Sequence, residues 1–126
     1  MNHKILTPTL HGLLDYAAAA GLIVLPFLLD LGATSQLATW LSVVAGVGLV
    51  TYSLVTDYAF GVFRVLSFRA HLMLDVAAAV VFLAAPFVFG WGGLVLAYYV
   101  VMGIGVLAVV ALSTTGRDAL PVPEAE

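Results

Sequence analysis

The chain has 126 residues, a net charge of −3, 63% hydrophobic and only 9% charged side chains, and a mean hydropathy of +1.17. Soluble domains carry about 25% charged residues, so this chain lacks the polar side chains to cover a surface facing water. Four Lys and Arg residues make no basic stripe and give no basis for a nucleic-acid partner; without cysteine there is no disulfide, thiolate ligand or cysteine nucleophile.

Four apolar stretches, at about residues 10–30, 37–56, 71–90 and 93–113, approach or exceed the ~20 residues that cross a bilayer as a helix. The expected fold is all-α: an integral membrane four-helix bundle, with the lipid bilayer as its first partner. Lys4, Arg64, Arg69 and Arg117 lie before the first stretch, between the second and third, and after the fourth. The connections near 31–36 and 90–93 hold no Lys or Arg, so the positive-inside rule puts both termini and the middle connection in the cytoplasm, in a plasma or inner membrane.

In chain order, Pro8 suits a first helical turn, where a missing N–H costs little. The polar start before an apolar run could suggest a signal peptide. Asp15 within the run, and a matching counterpart later in the chain, favour keeping it as helix 1. Pro26 near its outer end is tolerable if a neighbouring helix satisfies the carbonyl it frees, and a kink is expected there. Helix 2 starts near Gln36–Trp40, with Trp40 at the outer interface, and one face reads Thr39, Ser42, Gly46, Ser53 and Asp57. Such small and hydroxylated residues let helices approach closely in lipid. Residues 57–70 join the halves as an interfacial turn or short helix. Its Tyr58, Phe60, Phe63 and Phe68 would sit at headgroup level, with Arg64 and Arg69 reaching phosphates. Gly90 to Gly93 make a tight outer turn, and Trp91, Tyr98 and Tyr99 read as interface and packing groups. Residues 118–126 are expected to be a disordered tail.

The chain repeats itself at an offset of 60. Residues 11–27 match residues 71–87 at 8 of 17 positions: His11/His71, Leu14/Leu74, Asp15/Asp75, three alanines, Pro26/Pro86 and Phe27/Phe87. Repeat 1 covers about residues 10–57 and repeat 2 about residues 71–117, each a two-helix hairpin within one transmembrane domain. Because each hairpin crosses twice, both enter from the same side, and a pseudo-two-fold axis along the membrane normal is expected. A hairpin repeat with a polar residue early in its first helix, then a proline and an aromatic, resembles the SPW-repeat small membrane proteins. The corresponding triplets are Leu25-Pro26-Phe27 and Ala85-Pro86-Phe87, which keep the proline and an aromatic but neither Ser nor Trp. The resemblance implies the same four-helix arrangement and brings no activity with it.

The functional candidates are His11, Asp15, His71 and Asp75. In each pair the spacing of four puts histidine and carboxylate on one helical face. An Asp at the centre of a membrane helix costs ~2.5–3.5 kcal/mol on insertion scales, so both pairs are expected to face inward and meet. Three readings follow. The cluster could be structural, hydrogen-bonded across helices or to Ser53, Ser113 or Tyr16, in a protein that packs against itself or a larger membrane complex. It could hold a divalent metal such as zinc on two imidazoles and two carboxylates. It could handle protons. No nucleophile motif or phosphate loop is present, so the chain is not expected to be an enzyme; His3 is assigned no role, and Asp57 with Tyr58 is read as the end of helix 2 and not as a ligand set.

Overall fold

The computed structural model describes residues 6–57 and 60–113. Among the described residues four helices run up, down, up and down: α1 (Pro8–Leu28), α2 (Gln36–Leu54), α3 (Phe68–Phe89) and α4 (Gly93–Leu112), with a 3₁₀ turn at Leu31–Ala33. All four are long and apolar enough to cross a membrane. The tail, together with His3, Lys4, Tyr58 and Arg117, lies outside the described residues.

Local chemistry sets the helix ends. Thr7, Ser35 and Ser67 cap α1, α2 and α3, each side-chain oxygen accepting from the backbone N–H three residues on. Pro8 occupies the first turn of α1, where no intrahelical donor is lost. Helix α3 stops at Gly90, whose φ of 71° is the left-handed conformation that glycine takes without a Cβ penalty. Between α2 and α3 the described residues form no helix. The connection is a turn folded back on the end of α2, with Asp57 N–H donating to Leu66 O and Leu66 N–H to Val55 O, both at 2.7 Å.

Within each hairpin the helices meet through glycine. A Cβ at Gly46 would lie 2.8 Å from Ile23 Cγ1 and 3.0 Å from the Ala19 carbonyl, so α2 sits directly against α1. A Cβ at Gly103 would lie 2.7 Å from Leu83 Cγ, placing α4 equally close to α3. Pro26 has no N–H to give the Leu22 carbonyl, and Ser42 Oγ of α2 donates to that carbonyl instead, at 2.8 Å. The neighbouring helix thus supplies the bond the proline removes.

The two hairpins meet differently from the helices inside them. At the end formed by the 3₁₀ turn and the start of α4, Tyr99 donates to the Ala38 carbonyl and Tyr98 shares a 2.7 Å hydrogen bond with Ser42. At the opposite end the His/Asp residues join them. Between these two polar contacts the hairpins separate, leaving a groove of about 480 Å³ lined by all four helices.

Candidate metal centre

Histidine and aspartate stand one turn apart near the starts of α1 and α3, and these two starts lie at the same end of the molecule. His11, Asp15, His71 and Asp75 are all buried, and one ligand atom from each falls within 4.8 Å of the others. The contacts cross between helices as well as along them. His11 Nε2 is 3.1 Å from Asp15 Oδ1 and 3.0 Å from Asp75 Oδ2. His71 Nε2 is 2.8 Å from Asp15 Oδ2 and 3.5 Å from Asp75 Oδ2. Every carboxylate therefore faces both imidazoles.

The far side of each ring is held by a hydroxyl. Ser113 Oγ lies 2.6 Å from His11 Nδ1, and Thr56 Oγ1 lies 2.8 Å from His71 Nδ1. A hydroxyl has one proton, and in both cases it is already committed: Ser113 donates to the Val109 carbonyl at 2.6 Å and Thr56 to the Tyr52 carbonyl at 2.5 Å. Each hydroxyl must then accept from the ring, so Nδ1 carries the hydrogen in both histidines. Nε2 is left to face the carboxylates. It presents either a lone pair, suited to a cation, or a second N–H, suited to an ion pair.

Other contacts fix the cluster further. Tyr52 donates to Asp75 Oδ1 at 2.5 Å. Phe68 covers both rings, edge-on to His11 at 5.1 Å and stacked on His71 at 6.0 Å, and so closes the side nearest the connection. Leu6 N–H donates to Leu112 O at 2.8 Å, which ties the segment before α1 to the end of α4 and brings Ser113 to His11. The cluster also borders the groove, which Asp15, Asp75 and Tyr52 line.

All four residues singled out in the sequence are thus brought together, and Ser113 takes one of the partner roles expected for it. Two expected partners do not. Tyr16 turns outward to the Phe60 carbonyl at 2.9 Å, and the buried Ser53 Oγ has no hydrogen-bond partner among the described residues. Thr56 and Tyr52 occupy those roles instead, and neither was signalled by the 60-residue repeat, because the matching positions are Gly116 and Leu112. Asp57 is exposed, three residues past the end of α2.

Fold and site together define a class: a four-helix protein with helices apolar and long enough for a membrane, and with two histidines and two aspartates buried as one group. Comparisons with protein-family models, curated proteins and solved structures found no match to this chain.

Proposed function

We propose that this is an integral membrane protein that binds one divalent metal ion of the zinc type, on His11, Asp15, His71 and Asp75, at the interface of its two hairpins. One observation carries the reading: both imidazoles are held by Nδ1–H to a hydroxyl and aimed by Nε2 at the same two carboxylates. Histidine ligands ordinarily donate their other ring N–H to a fixed acceptor, which sets the tautomer. Tetrahedral zinc with bonds of ~2.0–2.2 Å separates its ligand atoms by about 3.3 Å. His11 Nε2 and His71 Nε2 stand 3.0 and 3.5 Å from the same oxygen, Asp75 Oδ2, and 3.1 and 2.8 Å from the two different oxygens of Asp15, all near that value.

Charge supports the same reading. Two ionised carboxylates in a dry site need two positive charges beside them, and a dication supplies both while the histidines stay neutral. Four protein ligands fill a tetrahedral ion and leave no position for a substrate, so binding rather than catalysis is the activity the arrangement supports. In this reading the helices span the bilayer with the cluster end cytoplasmic, where Arg64 and Arg69 lie. The two hairpins are the repeats of an SPW-repeat-like chain, and the ion joins them.

A second reading rests on the same distances: both histidines are imidazolium and the cluster is a network of ion pairs that locks the hairpins together or carries protons. Metal analysis of detergent-purified protein separates the two. The metal reading predicts about one divalent ion per chain, a melting temperature lowered by chelator, and no chelator response in His11→Ala or His71→Ala. Protein that is metal-free after zinc reconstitution, with a melting temperature indifferent to chelator, would leave only the ion-pair network.

A further inference from the structure

The groove between the hairpins runs along α1 from Leu14 to Leu22 and along α3 from Asp75 to Phe82. At 1.5 Å per residue, the seven steps from Asp75 to Phe82 make it roughly 10 Å long. Its volume of about 480 Å³ falls within the ~300–1,000 Å³ of small-molecule sites. The walls are apolar, with small residues such as Ala18, Ala78 and Gly105 leaving the width. Polar side chains occur at one end only, where Asp15, Asp75 and Tyr52 line it. At the other end the lining includes Phe82, stacked on Tyr99 at 4.5 Å.

The chemistry of the polar end is one-sided. Asp75 Oδ1 accepts the hydrogen bond that Tyr52 donates, and the remaining carboxylate oxygens face the imidazole Nε2 atoms, so the carboxyl groups meet their neighbours as acceptors and the Tyr52 O–H is already committed. Every polar group that lines the groove can therefore accept, and none has a proton to give. A ligand with an apolar body fits the walls. Its head must donate, and an anionic head is repelled by two carboxylates. We propose that the groove binds a single-chain, hydroxyl-headed lipid, its chain between the hairpins and its hydroxyl donating to Asp15 or Asp75. The inference rests on the metal-centre reading only in taking Asp15 and Asp75 as the acceptors at the polar end of the groove.

The test uses the full chain in lipid nanodiscs with three photoactivatable diazirine probes of equal length: decanol, decanoic acid and decane. Crosslinks are mapped by peptide mass spectrometry, and zinc content is measured on the same samples. Decanol should label groove residues such as Met102 and Val106 about tenfold more than either other probe, the lower end for a hydrogen bond to a charged acceptor. Ala78→Phe, which fills the groove from α3, should lower that labelling about tenfold while bound zinc is retained. Val106→Phe, from α4, should do the same should the first variant not fold. Equal labelling by decane, preferential labelling by decanoic acid, or decanol labelling unchanged by the filled groove would each overturn the proposal. A decanol preference in protein that takes up no zinc would instead sustain the lipid site and refute the metal centre alone.

Discussion

Replacing Ser113 by alanine should destabilise the protein, and replacing Ser53 by alanine should not, although the two serines occupy matching positions 60 residues apart. Both are buried. Ser113 Oγ is the acceptor for His11 Nδ1–H, so its loss leaves a ring N–H unpaired on a fully buried histidine. A buried donor stripped of its partner costs about 1–3 kcal/mol. Removal of the group that orients a metal-binding histidine typically costs 10–100-fold in metal affinity. Ser53 Oγ has no partner among the described residues, so Ser53→Ala removes an unsatisfied buried hydroxyl and should stay within about 0.5 kcal/mol of wild type, or gain slightly. Unfolding in mixed micelles, followed by circular dichroism across a denaturing-detergent titration, gives the stabilities. Competition with a chelating dye gives the zinc affinities. In a His11→Ala background the Ser113→Ala cost should largely vanish, since the donor it leaves stranded is gone. Equal losses at both serines, or none at Ser113, would refute the hydrogen-bond assignment from which the ring orientation is derived.

Other substitutions probe other links. Tyr52→Phe deletes the donor to Asp75 Oδ1 and should weaken zinc binding about tenfold or more with the helices intact, read by the same dye competition. Gly46→Ala and Gly103→Ala force a methyl into a neighbouring helix and should each cost about 1–3 kcal/mol in the unfolding titration, whereas Gly48→Ala and Gly105→Ala, where a Cβ meets nothing within 4 Å, should be neutral. Single cysteines at Thr34 and Phe63, both exposed in connections at opposite ends of the bundle, should react with an impermeant thiol reagent from opposite sides of the membrane. Labelling from one side would contradict the four-span arrangement.

Helix number, order and approximate ends were legible because each apolar stretch is long, free of Lys and Arg and bounded by turn residues. The start of α3 was not: the His71–Asp75 spacing drew the boundary to residue 71, while Ser67 already carried the capping signal that places it at Phe68. The clustering of the four residues was legible for an energetic reason, since two carboxylates in apolar helices must find partners and each pair lies near the start of its helix. Their hydroxyl partners were only partly so. Symmetry of sequence named Ser53 beside Ser113, but Thr56, just past the end of α2, has its hydroxyl on His71. Such a contact is set by how a connection folds back, which periodicity does not encode. The groove was invisible for a related reason. Gly46 and Gly103 draw helices together within hairpins, and nothing in their spacing says how far apart the hairpins then stand.

The most direct measurement is the number of protons released when zinc binds. A metal-free cluster that is electrically neutral holds two protons against its two carboxylates, wherever on the imidazole nitrogens or carboxylate oxygens they sit. A dication bound by neutral imidazoles and ionised carboxylates must displace both. Calorimetric titration of zinc into the chelator-stripped protein, in two buffers of different ionisation enthalpy near neutral pH, counts them. The metal-centre account predicts one ion per chain with about two protons released, and neither in the Asp15→Asn, Asp75→Asn double variant. Zinc uptake that releases no protons, or that survives in that variant, would contradict it.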